Sequence, residues 1–411
     1  MLSRRGFHRR LLGAALVAAC RAAPAAPKVR ITRFDIHKVS HRWRDLLFLE
    51  IHTDAGLVGI GEGSLHTRVE IVESALRWLE PQLAGLDPAG VEDHWDRIYY
   101  RLTRWRNGPV LVTALSAVDI ALWDLEAKRL GVPVWRLLGG PIHKTMRAYY
   151  THWNNTMAAK TPEAFAERAR ETRARGWTAV KWAVPRFENE TERIRDTVKV
   201  LEAIRNAVGM DLDLGLELWE SLTPRSTLAF AQAIAPYKPM FIEEPIQREN
   251  PQAFRDIAEK SPVPIATGEG LQGRYEFRHL LDVSGAAILQ PDVLHCGGIT
   301  ELRKIANLAE VHGVEVAPHQ CYGPVAHVAS LAAMSVCRNF YIHEWEADDD
   351  SYFQELTGGR YPVQKDGYIS LPEGPGLGIT VDFAAFTKKF PFTPRRPTAL
   401  PSSTRPAQSN R

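Results

Sequence analysis

The sequence is poor in cysteine, with four in 411 residues. Beyond Cys20 there are only Cys296, Cys321 and Cys337, an odd set at irregular spacing. That excludes a disulfide framework, and the three read as small buried residues. Beyond the leader, no apolar run approaches the roughly 20 residues of a membrane-spanning helix. A phosphate-binding fingerprint is missing as well. The glycines 59, 61 and 63 in "GLVGIGEG" resemble a nucleotide loop, but they fall in the second arm of a hairpin instead of opening a helix. Nor does one sign of charge dominate the body. The net charge of +3 comes from the ends, since residues 1–21 hold five arginines and no acid, and residues 392–411 hold four more arginines without acid. The mildly acidic remainder argues against nucleic acid as the main partner.

What is present begins with an address. "SRRGFHRR" followed by "LLGAALVAA" reads as an export signal over residues 1–27, of the twin-arginine type through Arg4 and Arg5. "VAAC" resembles a lipoprotein box with Cys20 as the acylated residue; plain cleavage in "AAPAAP" is the alternative. The expected location is therefore the periplasm, with membrane contact only through a lipid anchor at Cys20.

The body divides by its periodicity. Residues 28–145 read as an α+β unit: extended runs to residue 63 with "TDAG" as a turn, then helices near 67–84, 91–103 and 110–130. Over 146–355 short strand-like runs alternate with helical ones: "MRAYYTHW", "TAVKWAV", "LDLGLEL", "MFIEEP", "PIATGE", "AILQPD", "VEVAP" and "FYIHEWE". Eight strands with seven intervening helices predict an α/β fold, a modified (β/α)7β barrel. An open doubly wound sheet is the runner-up and lacks a phosphate fingerprint. Residues 356–391 read as a segment completing the cap, and 392–411 as a disordered tail.

Polar residues end six successive strand runs: Glu217, Glu243, Glu269, Asp292, His319 and Glu344, spaced at roughly one strand-plus-helix unit. Such residues face one mouth, at the carboxyl ends of the strands. Three bare glutamates there would repel one another unless they took up protons or held a cation. Three hard oxygen donors suit Mg²⁺, with Mn²⁺ as a substitute. Asp292 beside His319 fixes the imidazole tautomer and makes it a general base. Lys181, in the second strand, can meet a substrate anion or act as a base.

In residues and order the chain resembles the enolase superfamily, specifically the mandelate racemase/muconate lactonizing enzyme branch and its galactonate dehydratase-like sugar-acid dehydratases. The resemblance spans roughly residues 29–391 and rests on "TDAGLVGIGE", "SAVDIALWDLEAKRLGVPVWRLLGG", "FIEEP", "GEGLQGRYEF", "LQPDVLHCGGITE", "APHQCYGP" and "GYISLPEGPGLG". It implies that Glu217, Glu243 and Glu269 bind the metal and that Asp292 and His319 form the base dyad. It further implies that Glu344 hydrogen-bonds the substrate, a small carboxylic sugar acid, and that the protein is a homo-oligomer. His152, Asn154 and Trp219 join these as candidate substrate-binding residues.

Two positions depart from the pattern. The dehydratases carry Asp-x-His at strand three, where the histidine expels the β-hydroxyl; here Glu217-Leu218-Trp219 stands there. Racemases carry Lys-x-Lys at strand two; here it is Lys181-Trp182-Ala183. With the second base missing, racemisation or epimerisation is disfavoured. Elimination of water needs one base, which can return its proton to a hydroxyl leaving from the same face. The expected activity is a Mg²⁺-dependent hydro-lyase acting through an enediolate, with His319 in both roles. A sugar-acid cycloisomerase, which also needs one base, is the alternative. A non-catalytic sugar-acid binder would have no use for the dyad.

Overall fold

The computed structural model describes residues 29–394 apart from 103, 186–188 and 284. The expected leader, with Arg4, Arg5 and Cys20, and the tail from residue 395 lie outside the described residues.

Three antiparallel strands open the chain: β1 (Ile31–His41), β2 (Arg44–Thr53) and β3 (Val58–Glu62), in that order across the sheet. Gly56, at φ 75°, supplies the left-handed residue of the β2–β3 turn. The helix Pro109–Leu130 lies against β3, buried on most of its circumference. Its backbone explains the strand glycines. A methyl group on Gly59 or Gly61 would meet the carbonyl oxygen of Ala121 or Ala117 at 2.1 Å. These glycines let helix and strand backbones touch and have no part in phosphate binding. The helices Val69–Leu83 and Val91–Asp96 complete the cap, the second running on as a π-turn over Arg97–Arg101.

Eight parallel strands follow: β4 (Thr145–Tyr150), β5 (Ala179–Ala183), β6 (Asp213–Glu217), β7 (Phe241–Glu243), β8 (Ile265–Thr267), β9 (Ile288–Leu289), β10 (Glu315–Val316) and β11 (His343–Trp345). From β4 to β10 each strand pairs with the next in sequence, and β11 pairs with β4. The ring closes where Tyr341 donates its amide to the Val316 carbonyl and Val316 donates to Asn339, both at 2.9 Å. A helix lies between each consecutive pair of strands, seven in all. Three of these helices begin at Thr161-Pro162, Thr223-Pro224 and Asn250-Pro251. In each case the side chain before the proline accepts an amide hydrogen bond from the first turn.

The period of two in the strands sorts the side chains. Val180, Trp182, Leu214, Leu216, Ile242 and Leu289 belong to the large core beneath the helices. A fully buried leucine contributes about 1.5–3 kcal/mol by leaving water. The alternate residues form a second, smaller cluster of Tyr149, Ala179, Met240, Phe241, Ala266, Ile288, Ala317 and Ile342. Tyr149 and Phe241 meet edge to face there. Gly215 has no side chain because the Phe241 ring takes that space, 2.9 Å from where its Cβ would be. The barrel is therefore plugged below, and the next inward-facing position along each strand forms the floor of a cavity.

Buried carboxylates bind the cap to the barrel. Asp124 accepts from the amides of Ile60 and Leu377, both at 2.8 Å, joining cap sheet, helix and C-terminal segment. Glu62 accepts from the amides of Gly323 and Ala326 at the start of the barrel helix Pro324–Met334. Burial pushes Glu62 up to about 7 against these hydrogen bonds. At the β1–β2 hairpin tip, His41 and Arg42 pair with Asp349, and the fully buried Arg44 donates to Asp349 and to the Cys321 carbonyl.

The C-terminal segment divides between the two units. Tyr368–Ser370 (β12) pairs antiparallel with β4 of the barrel, its Ile369 buried. The helix Phe383–Lys389 packs on the cap sheet through Phe383 and Phe386. Cys296, Cys321 and Cys337 are buried and free. Among the described residues no helix is long and apolar enough to cross a membrane.

Candidate active site

The strand ends bring charged residues together at one mouth of the barrel. Lys181 projects from the middle of β5, and Glu217 and Glu243 are the last residues of β6 and β7. Glu269 follows β8 by two residues, Asp292 follows β9, His319 follows β10, and Glu344 is the central residue of β11. Carboxylate oxygens of Glu217, Glu243 and Glu269 lie within 4.8 Å of one another.

The Lys181 ammonium sits among these acids, 2.6 Å from Glu243, 2.9 Å from Glu344 and 3.9 Å from Glu217. Burial disfavours its charge, but Glu243 and Glu344 outweigh that and hold it well above the ordinary lysine range. Glu344 goes the other way: burial opposes its ionisation, and Lys181 and His319 overcome that. Glu217 is pushed well above the usual carboxylate range, first by burial and then by Glu243 and Glu269, with Lys181 opposing. One lysine therefore does not neutralise the cluster. The donor set, three oxygens converging on one point with excess negative charge, fits a hard divalent cation.

His319 donates from Nδ1 to Asp292 at 2.7 Å. Its Nε2 faces Glu269 at 3.4 Å, Cys321 at 3.6 Å and Glu344 at 3.9 Å. Burial works against the imidazolium, but Cys321, Glu269, Glu344 and the Asp292 hydrogen bond hold it well above the usual histidine range. Asp292 is itself fixed by the Leu294 amide at 2.7 Å.

A cavity of about 20 Å³ is lined by Thr151, His152, Lys181, Trp182, Ala183, Glu217, Trp219, Glu269, His319 and Glu344. Trp219 forms part of its wall, 51% exposed and at φ 46°, followed by Glu220 at φ 53°. Two successive left-handed residues other than glycine persist only where their surroundings enforce them. Here the Trp219 amide donates to Glu217 at 2.5 Å, the Glu220 amide to the Glu244 carbonyl at 2.6 Å, and Arg248 grips the Glu220 carboxylate at 2.6 Å.

Of the residues expected from sequence, the metal candidates, the dyad, Lys181, Glu344, Trp219 and His152 are gathered around this cavity. Asn154 is not. It is buried in the turn after β4 and does not line the cavity, because the chain turns away at His152, itself left-handed at φ 50°. Gln290, which was not singled out from sequence, donates to Glu243 at 2.6 Å. Its place two residues before Asp292, on the same side of the chain, could have revealed it. Trp43 in the cap hairpin, 5.2 Å edge-on to His152, had no such signal.

Residues 164–385 match the family model described as "Enolase C-terminal domain-like", and residues 21–139 match the "Mandelate racemase / muconate lactonizing enzyme, N-terminal domain". The chain belongs to the enolase superfamily. This superfamily member is 35% identical over 371 residues to a D-galactonate dehydratase of Ralstonia nicotianae, covering 87% of this chain and 93% of that one. A D-galactonate dehydratase of Cronobacter sakazakii is 33% identical over 363 residues, covering 86% and 92%. Among solved structures, a mandelate racemase/muconate lactonizing enzyme from Jannaschia sp. CCS1 superposes with a TM-score of 0.81 at 30% identity, over 89% of this chain and 99% of that one. Enolase-superfamily enzymes use a divalent metal, and the buried triad Glu217, Glu243 and Glu269 could hold one.

Proposed function

We propose that this enolase-superfamily enzyme removes water from a sugar acid, giving a 2-keto-3-deoxy acid. The observation that carries the reading is the His319–Asp292 dyad, with His319 lining the same cavity as Glu217 and Glu269 of the acidic triad. Relatives named D-galactonate dehydratase at 33–35% identity support the same class. Glu217, Glu243 and Glu269 would hold Mg²⁺ or Mn²⁺. When bound, such an ion stabilises the negative charge that develops on the substrate carboxylate.

The chain's own residues supply the proton chemistry. His319 takes the proton α to the carboxylate, its tautomer set by Asp292. Lys181, paired with Glu344 at 2.9 Å, offers its ammonium as a donor to the carboxylate end of the substrate. Ala183 lines the cavity and carries no base, which favours elimination over racemisation.

Incubation with Mg²⁺ in D₂O against a set of aldonic and aldaric acids, starting with D-galactonate, tests the reading. A 2-keto-3-deoxy product carrying deuterium at C3, with deuterium exchanged into the α position of the recovered substrate, is expected. Turnover that survives exhaustive chelation, or epimers formed without loss of water, would overturn it.

A further inference from the structure

Two histidines line this cavity, and each has its own buried carboxylate. His319 bonds Asp292 through Nδ1 at 2.7 Å, and His152 bonds Glu346 through Nδ1, also at 2.7 Å. Glu346 is 0% exposed, and the cap arginines Arg44 and Arg42 stand 3.6 and 3.9 Å from it. The backbone of His152 is left-handed at φ 50°, a conformation that is uncommon for a residue other than glycine and concentrates at functional sites. The cap's Trp43 lies edge-on to the ring, 5.2 Å away. Nδ1 is thus occupied, and Nε2 is left for whatever enters the cavity. Meanwhile Trp219, at the third strand, has no proton to deliver to a leaving hydroxyl, because its indole N–H does not titrate.

We propose that His152 is the general acid that protonates the departing β-hydroxyl, with Glu346 as its positioning residue. The proposal rests on the dehydratase reading above. His319 removes the α-proton, and the electron pair of that C–H bond becomes the enediolate. The pair then forms the Cα–Cβ double bond as the Cβ–O bond breaks. The proton on His152 Nε2 passes to the departing oxygen, which leaves as water. The remaining enol moves its hydroxyl proton to Cβ and becomes the 2-keto acid. His319 ends with one proton more and His152 with one fewer, and solvent restores both.

The test uses the Mg²⁺-loaded enzyme in D₂O with an acid sugar that the parent dehydrates. His152→Asn is the variant of choice, because asparagine tolerates the left-handed backbone. Elimination should fall by about 10²–10⁴ while α-deuterium exchange stays within about threefold of the parent. The 3-deoxy-3-fluoro analogue, whose fluoride leaves without a proton, should be turned over at close to the parent rate. Glu346→Gln should show the same split to a smaller extent, and it decides the matter if His152→Asn does not fold. Exchange and elimination falling together, elimination unchanged, or no rescue by the fluoro analogue would each overturn the proposal. If the parent dehydrates no acid sugar, the dehydratase reading fails and takes this proposal with it. If the parent works and His152→Asn matches it, only this proposal fails.

Discussion

The Lys181 ammonium lies 2.6 Å from Glu243, so the acidic ring holds one cation of its own chain. Breaking a buried ion pair by removing one partner costs about 3–5 kcal/mol, because the other charge is left uncompensated. Lys181→Met should therefore lower the thermal midpoint in chelator. Mg²⁺ then has more repulsion to relieve, and its addition should raise the midpoint further than it does in the parent. Thermal scans of both proteins with and without Mg²⁺ check this. An equal Mg²⁺ shift in the two would mean that Lys181 and the metal do not share the same carboxylates.

Loss of the His319 imidazole removes the α-proton acceptor and leaves the triad untouched. His319→Asn should lower α-deuterium exchange and product formation together, by at least about 10³-fold. Mn²⁺ affinity, followed by electron paramagnetic resonance, should stay near the parent value. Exchange persisting near the parent rate would assign the base elsewhere, with Lys181 the first candidate.

Much of this site was legible because barrel strands repeat at a fixed interval and place their last polar residue in one mouth. The spacing of Glu217, Glu243, Glu269, Asp292, His319 and Glu344 needed no structure to be noticed. Period two also separates Leu214 and Leu216, which face the helices, from Gly215 and Glu217, which face inward. Residues acting across long sequence separations were hidden. His152 was noticed as a substrate contact, but its pairing with Glu346 joins the first strand to the last, and nothing local in "THWNN" announces it. Asn154 was grouped with it because proximity in sequence ignores the reversal at φ 50°. The glycines of β3 belong to a hairpin arm already in the sequence, but the helix that presses on them and requires them is visible only in the fold.

Arg248 ties together loops that carry metal-binding candidates. Besides gripping Glu220, its guanidinium occupies the place a Gly270 side chain would need, with Nη1 1.2 Å from the position of that Cβ. Outer partners of metal ligands typically change metal affinity by about 10–100-fold when mutated. Arg248→Met should weaken Mn²⁺ binding toward the lower end of that range. Gly270→Ala, which displaces the guanidinium without removing a charge, should do the same. In the Arg248→Met background, Gly270→Ala should add nothing further. Additive losses in the double variant would show that the two act independently.

His343 offers a pH test away from the metal ligands. It is fully buried, and burial lowers its pKa to about 4 against an ordinary value of 6.5, although its Nδ1 donates to the Glu344 carbonyl at 2.5 Å. Between these two values the unfolded chain binds a proton that the folded one does not. The stability tied to this residue is therefore complete above pH 6.5 and is lost as the pH falls through about 4. At about 1.4 kcal/mol per unit, the loss amounts to about 3 kcal/mol. His41, held down to about 3 by burial and by Arg44 and Arg42, adds a slope of the same sign. Urea unfolding free energies measured from pH 7.5 to 4 should fall in the parent. In His343→Gln that fall should be shallower by about one proton's worth of slope, 1.4 kcal/mol per pH unit at most. If His343→Gln keeps the full parental slope, the proton is taken up elsewhere, and His343 is not the neutral buried group that its surroundings require.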